Sequence, residues 1–131
     1  MSVSLLVITH NQIGREIIDT AISILGNKPQ QIEFISVPSI LLPDDLGSYA
    51  DQIRDTISRL QSEQGILILT DIYGATPNNL ARYFASDIKV RIIAGLSLPM
   101  LLRVLNYREQ TLDELLSTAI EGGQNGIVVG I

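Results

Sequence analysis

The 131-residue chain contains no cysteine, no tryptophan and a single histidine, His10. The missing cysteines exclude disulfide bonds and thiol nucleophiles, and one histidine is too few for the usual zinc sites. Basic residues are also scarce, because nine lysines and arginines stand against fourteen aspartates and glutamates, for a net charge of −5. No basic cluster indicates a nucleic-acid surface. We therefore expect no metal, no cofactor and no nucleic-acid partner.

Long apolar runs are absent as well. No segment approaches the ~20 apolar residues that a membrane-spanning helix needs, and residues 1–10 have neither a basic leader nor a small-residue cleavage site. These absences predict a cytoplasmic protein. Hydrophobic residues make up 46% of the chain, which is enough for one core. We expect a single domain over residues 1–131.

Strand and helix patterns alternate along the chain. Apolar, β-branched runs predict strands, and apolar residues at helical spacing predict helices. The predicted strands are residues 3–9, 32–37, 65–70, 89–94 and 126–131, and the predicted helices are residues 14–25, 44 or 45 to about 61, 98–105 and 112–121, with another starting at 76. This order predicts an α/β fold, with an open, doubly wound, mainly parallel sheet of flavodoxin-like order 2-1-3-4 and helices on both faces.

Several predicted helices begin or end at residues that typically cap a helix. The predicted N-caps are Asp44 or Asp45, Thr76 followed by Pro77, Ser97, and Thr111 in a capping box with Glu114. The glycine pair at 122–123 predicts the end of the last helix.

Polar side chains follow the first and third predicted strands, namely His10 and Asp71. These strands are neighbours in the predicted order, and adjacent strands lie ~4.8 Å apart, so the two side chains could touch. A carboxylate that accepts a hydrogen bond from one imidazole nitrogen leaves the other nitrogen available as a nucleophile or base. His10 and Asp71 are therefore the candidate catalytic residues.

A short turn and a helix start follow Asp71. The small residues Gly74 and Ala75 allow a close approach of the backbone, and the helix start at Thr76 presents unpaired N–H groups that suit an anion. The candidate phosphate-binding residues are Gly74, Ala75, Thr76 and Asn78. A histidine and an aspartate beside an anion pocket suit a histidine that accepts a phosphoryl group and passes it on.

Each of these residues also has an ordinary structural role. A histidine at a strand end is often only hydrogen-bonded, and an aspartate after a strand often caps a turn. Competing phosphate-binding motifs are missing, since neither G-x-x-x-x-G-K-[ST] nor G-x-G-x-x-G after a strand occurs. The acidic pair that a receiver domain needs after its first strand is replaced by Thr9-His10-Asn11.

Four segments together resemble enzyme IIA of the mannose/fructose/sorbose type, from the bacterial sugar phosphotransferase system. They are L-L-V-I-T-H at 5–10, G-R-E-I-I-D-T-A at 14–21, I-L-I-L-T-D-I-Y-G-A-T-P-N-N at 66–79 and A-G-L-S-L-P-M-L-L at 94–102. The resemblance implies that His10 is phosphorylated by the phosphocarrier protein HPr and that a separate enzyme IIB receives the group. It further implies that Asp71 holds the imidazole, that residues 74–76 lie beside the phosphoryl group, and that a homodimer exchanges its C-terminal strand, residues 126–131.

Three positions depart from the pattern of the resembled family. Asn11 stands where a glycine usually follows the active histidine, and G-G-[ST]-P-F-N reads G-A-T-P-N-N here, with Ala75 for the second glycine and Asn78 for the aromatic. An alanine is strained at positive φ, so the turn either avoids that conformation or the pocket is altered. Two other functions stay open: a regulatory module that changes a partner through its phosphorylation state, and a small-anion-binding protein whose histidine is never phosphorylated.

Overall fold

The computed structural model describes residues 2–84 and 89–131. Four strands and five α-helices alternate along these residues. The strands are β1 (Ser4–His10), β2 (Ile32–Val37), β3 (Ile66–Thr70) and β4 (Val90–Ala94), and the helices are α1 (Ile13–Leu25), α2 (Leu46–Leu60), α3 (Thr76–Tyr83), α4 (Leu98–Asn106) and α5 (Leu112–Asn125). A short 3-10 turn, Pro43–Asp45, leads directly into α2.

The four strands form one parallel sheet in the order β2-β1-β3-β4. The predicted flavodoxin-like α/β fold is therefore confirmed. Strand β1 lies in the middle, where it pairs with β2 on one side and with β3 on the other. The chain order reverses between β1 and β3, and open sheets of this kind bind their ligands at the carboxyl edge of that position.

Both faces of the sheet are covered, because successive side chains of a strand point to opposite faces. Leu5 and Val7 of β1 pack with residues of α1, α4 and α5, while Leu6 and Ile8 pack with residues of α2 and α3. All four side chains are fully buried. Continuous apolar runs such as S-L-L-V-I-T are typical of a parallel strand that contacts helices on both sides.

The N-cap residue of α2 is Asp45, one of the two predicted residues. The predicted cap of α3 is wrong, and those of α4 and α5 are confirmed. At α2 the N–H of Leu46 donates to the Pro43 carbonyl oxygen of the 3-10 turn, and the Asp45 side chain makes no capping hydrogen bond. At α3 the N-cap is Ala75, whose extended backbone precedes Thr76 as the first helical residue. Ser97 accepts from the Met100 N–H, and Thr111 forms the predicted capping box.

Helix α5 does not end at Gly122, as predicted, but continues to Asn125. The physical reason is packing against α4. A Cβ at Gly122 would lie 2.6 Å from Cβ of Arg103, and one at Gly126 would lie 2.5 Å from Cβ of Pro99. Gly122 therefore lets the two helices approach closely instead of ending α5, and Gly126 is the C-cap residue that follows Asn125.

The predicted final strand, residues 126–131, does not join the sheet within the single chain, and its exchange with a second chain stays a prediction. These residues belong to no described strand or helix, and Ile127, Val128 and Val129 are at least 78% exposed. A strand requires a neighbouring strand for its hydrogen bonds. The four described strands pair only with one another.

At the edge opposite the carboxyl ends, the side chain of Arg108 joins the residue before β1 to the segment before β2. Its guanidinium donates to the carbonyl oxygens of Val3, Gln30 and Gln31, and burial lowers the pKa of Arg108. In residues 2–84 and 89–131, none of the helices combines the length and apolar character that crossing a bilayer requires.

Candidate functional site

The carboxyl ends of β1 and β3 bring the two predicted catalytic side chains together. His10 is the last residue of β1, and Asp71 directly follows the last residue of β3, Thr70. His10 Nδ1 lies 2.8 Å from Asp71 Oδ2, and the two side chains are 24% and 12% exposed. The pair therefore lies at the reversal point of the sheet, partly shielded from solvent.

The Asp71 carboxylate is held from three directions. Its Oδ2 also accepts from the backbone N–H of His10 at 3.0 Å, and its Oδ1 accepts from the Ile72 N–H at 3.1 Å. Because an ionised carboxylate can only accept, the short contact with Nδ1 places a hydrogen on that nitrogen. The imidazole is thus oriented with Nε2 as its remaining nitrogen, and Nε2 makes no hydrogen bond within the described residues.

Thr9 helps to position His10, a role that the sequence analysis did not assign. Its buried hydroxyl accepts from the Gly14 N–H at 2.9 Å and donates to the His10 carbonyl oxygen at 3.1 Å. Helix α1 is thereby joined to the end of β1. A threonine immediately before a candidate histidine, followed by a helix start, is the signal from which this contact could have been inferred.

Asn11 adopts the left-handed conformation, with φ of +49°. Asparagine tolerates this region better than most residues, which explains how it replaces the glycine of the resembled family. Its amide donates to Ser39 Oγ at 2.7 Å, and its carbonyl accepts from Ser36 Oγ at 2.7 Å. The turn after His10 is therefore joined to the end of β2 and to the segment that follows it.

The turn after Asp71 keeps its alanine in an ordinary conformation. Gly74 takes the positive φ, +83°, while Ala75 has φ of −84°. The sequence left open either a turn without strain at Ala75 or an altered pocket. The structure shows the turn without strain. The N–H groups of Ala75, Thr76 and Asn78 donate to no acceptor within the described residues, as expected for a helix start.

The four predicted phosphate-binding residues occupy different positions around this turn. The N–H of Gly74 already donates to Asn78 Oδ1 at 3.2 Å, and Asn78 Nδ2 donates to Thr70 Oγ1 at 3.3 Å. Asn78 is only 2% exposed, so its side chain supports the turn. Ala75 and Thr76 are half-buried and have unengaged N–H groups, and their contact with phosphate stays a prediction.

Asn79 is a second supporting residue that the sequence analysis passed over. Its Nδ2 donates to the Gly74 carbonyl oxygen at 3.0 Å. Both polar groups of Gly74 are therefore fixed by consecutive asparagines of α3. The Asn-Asn pair two residues after a predicted helix start was the available signal, because asparagine side chains readily bind nearby backbone.

The arrangement presents one imidazole nitrogen at a sheet edge, a carboxylate behind the other nitrogen, and a helix start nearby. Within residues 2–84 and 89–131, no group of three or more His, Asp or Glu side chains could hold a metal ion. An oriented imidazole with a carboxylate partner can act as a nucleophile, and the carboxylate stabilises the positive charge that forms on the ring.

Comparison with known proteins finds that this chain is similar to phosphotransferase-system components. The family described as "PTS system fructose IIA component" matches residues 4–120. The mannose-specific EIIAB component of Escherichia coli strain K12 is 26% identical over 130 residues, which cover 97% of this chain and 39% of that protein. The chain thus spans about two fifths of that relative's length. The fructose-specific EIIA component of Bacillus subtilis strain 168 is 32% identical over 81 residues, covering 61% of this chain and 55% of that protein.

Solved structures share the fold. The mannose/sorbose-specific IIA subunit of the phosphotransferase system from Enterococcus faecalis superposes with a TM-score of 0.85 at 21% identity, over 98% of this chain and 95% of that one. A phosphotransferase-system component EIIA from Streptococcus agalactiae gives a TM-score of 0.82 at 22% identity, over 97% and 96% of the two chains. At these identities the likeness shows the fold.

Proposed function

The chain belongs to the EIIA-man family of phosphotransferase-system IIA components, and we propose that it carries a phosphoryl group on His10 during sugar uptake. The observation that carries the proposal is the 2.8 Å contact between Asp71 Oδ2 and His10 Nδ1, which leaves Nε2 as the nucleophile. The donor in this proposal is phosphorylated HPr, and the acceptor is an enzyme IIB.

The transfer follows from the oriented ring. The lone pair of His10 Nε2 attacks the phosphorus, a new N–P bond forms, and the N–P bond of the donor histidine breaks with its electron pair returning to the donor imidazole. Asp71 stabilises the positive charge that develops on the His10 ring. The N–H groups of Ala75 and Thr76 would take up charge on the phosphoryl oxygens. Transfer between two imidazoles is nearly balanced, so orientation and charge placement supply the catalysis.

Intact-mass measurement tests the proposal. The protein is incubated with phosphorylated HPr beside a folded His10→Ala variant. We expect one added phosphoryl group that is labile in acid, stable in base and absent from the variant. No added mass, with a donor proven active on another acceptor, would overturn the proposed function.

A second stage identifies the role of the phosphorylated protein. Purified phosphoprotein is mixed with enzyme IIB of the mannose class, and the phosphoryl group is followed by mass on both proteins. Transfer to IIB supports a role in sugar uptake. Stable retention of the group on His10, with IIB proven active with another donor, would instead support the regulatory alternative, because both functions use the same His10 chemistry.

We further infer that residues 126–131 pair with a second copy of the chain, as the resemblance implies. Ile127, Val128 and Val129 are three consecutive exposed apolar residues. Among the described strands β4 pairs only with β3, so its other edge has no neighbouring strand. Light scattering tests the inference. The wild type should be dimeric, Val129→Asp should shift it to monomer, and the control Tyr107→Asp, another exposed apolar position, should stay dimeric. A monomeric wild type at all accessible concentrations would overturn the inference.

A further inference from the structure

Asn78 is a buried polar side chain at a position where the resembled family has an aromatic. It is 2% exposed, although it lies in the first turn of α3 next to the candidate site. A buried amide is costly unless its polar atoms are hydrogen-bonded. Here its oxygen accepts from the Gly74 N–H and its nitrogen donates to Thr70 Oγ1. The amide therefore has a defined task in the turn.

Thr70 connects this amide to the rest of the sheet edge. Its side chain is fully buried, and its carbonyl oxygen accepts from the N–H groups of Gly95 at 3.1 Å and Leu96 at 3.0 Å. The same residue immediately precedes Asp71. Through Thr70, the Asn78 amide joins the turn after β3 to the turn after β4.

Gly74 is the residue on which these contacts act. It is exposed, and at φ of +83° no neighbouring atom would contact an added Cβ, so packing does not determine its conformation. Its N–H is held by Asn78 and its carbonyl by Asn79. Hydrogen bonds from α3 therefore hold both backbone polar groups of Gly74 in the turn between Asp71 and Thr76.

We propose that Asn78 is a positioning residue for phosphoryl transfer, which holds Gly74 and thereby fixes the turn that carries the unengaged N–H groups of Ala75 and Thr76. The inference rests on the proposed function, because it concerns the rate of transfer to His10. In this proposal Asn78 does not bind the phosphoryl group itself. It supports the N–H groups of Ala75 and Thr76, which do. Because the turn is already ordered before transfer, the reaction does not have to supply the entropy cost of ordering it.

The test compares Asn78→Leu, which keeps the size of the side chain and removes its hydrogen bonds, with Thr70→Val, which removes the partner. The control is Ala81→Gly, which weakens the same helix from a buried position, whereas the hydrogen bonds to Gly74 come from Asn78 and Asn79. Hydrogen exchange of the Gly74 amide is measured on the unphosphorylated proteins. Phosphorylation rates are measured over a series of phosphorylated HPr concentrations.

In Asn78→Leu we expect Gly74 exchange to accelerate and the maximal transfer rate to fall by about tenfold, the effect of losing one or two hydrogen bonds. The donor concentration at half-maximal rate should stay unchanged, because the amide is buried and does not face the donor. Thr70→Val should act in the same direction, and Ala81→Gly should leave both readouts unchanged.

The outcomes separate the two proposals. A wild-type rate in Asn78→Leu, or unchanged Gly74 exchange, overturns the positioning role and leaves the proposed function intact. An effect confined to the half-maximal donor concentration also overturns it, because that result indicates donor contact. Failure of the wild type itself to accept phosphate overturns both proposals.

Discussion

Asp71 Oδ2 accepts two hydrogen bonds from one residue, from the ring Nδ1 of His10 at 2.8 Å and from its backbone N–H at 3.0 Å. A single carboxylate oxygen therefore fixes both the end of β1 and the orientation of the imidazole. Asp71 contributes both hydrogen bonds that orient His10 and a negative charge that stabilises its ring. A substitution that keeps the shape and removes the charge can separate these two contributions.

Asp71→Asn should keep the shape of the side chain and one acceptor oxygen while it removes the charge that stabilises the phosphorylated ring. We expect transfer to His10 to slow by roughly 10²-fold, the usual cost of removing one electrostatic stabiliser. Rapid-mixing measurements of phosphate incorporation check this. Asp51→Asn, an exposed carboxylate on α2, is the control and should transfer normally. A folded Asp71→Asn with wild-type rate would show that the charge is unimportant.

Asn11→Ala should destabilise the protein by about 1 kcal/mol, because most residues are strained at positive φ. Asn11→Gly should remain close to the wild type, since glycine adopts that conformation freely. Urea denaturation gives the free energies of unfolding. Ser39→Ala removes the side-chain hydrogen bond alone and should have the smaller effect. Equal losses in Ser39→Ala and Asn11→Ala would contradict the backbone explanation.

Substitution by alanine should change the free energy of unfolding in opposite directions at two helical glycines, Gly122 and Gly47. Gly122→Ala places a Cβ 2.6 Å from Arg103 Cβ and should destabilise by about 1–3 kcal/mol, the usual cost of overpacking. Gly47→Ala meets nothing within 4 Å and should stabilise α2 by about 0.5–1 kcal/mol. Thermal and urea unfolding of both variants check the signs. Stabilisation by Gly122→Ala would disprove the close α4–α5 packing.

Arg108→Met should leave the carbonyl oxygens of Val3, Gln30 and Gln31 without their guanidinium donor. We expect a loss of about 2–4 kcal/mol in the free energy of unfolding, the range for breaking a buried hydrogen-bond network. Arg54→Met is the surface control and should change stability by less than about 0.5 kcal/mol. Similar stabilities for the two variants would remove the structural role assigned to Arg108.

The capping box of α5 predicts an acid-sensitive contribution to stability. Hydrogen bonds from the Thr111 backbone N–H and hydroxyl lower the pKa of Glu114 from its ordinary value of 4.5. A lowered pKa in the folded state means that the stabilisation is complete above pH 4.5 and is lost as the pH falls through the folded-state value. Glu114→Gln should therefore lose less stability between pH 6 and 3 than the wild type.

Chemical denaturation at several pH values measures that difference. Glu121→Gln removes a carboxylate from the exposed other end of α5 and should keep the pH dependence of the wild type. If Glu114→Gln lost as much stability in acid as the wild type, the capping box would not be the source of the acid-sensitive stability.

The sequence by itself determined the four strands of the sheet, the five helices, the sheet order and the two catalytic candidates. Apolar runs and helical spacing are local patterns, and alternating strands and helices restrict the sheet to few arrangements. His10 and Asp71 could be paired in advance because both follow strands that the predicted order makes neighbours. The capping signals of Ser97 and Thr111 were equally local, and both are confirmed.

Tertiary structure decided the features that depend on a neighbour from elsewhere in the chain. Gly122 could either end α5 or let a second helix pack closely against it. The outcome depends on Arg103, 19 positions earlier, and α5 continues past Gly122. The apolar residues 126–131 have a strand pattern but no strand beside them in the described chain. Asn78 became a support of the turn only because folding buried it between Thr70 and Gly74, where an unpaired amide would be costly.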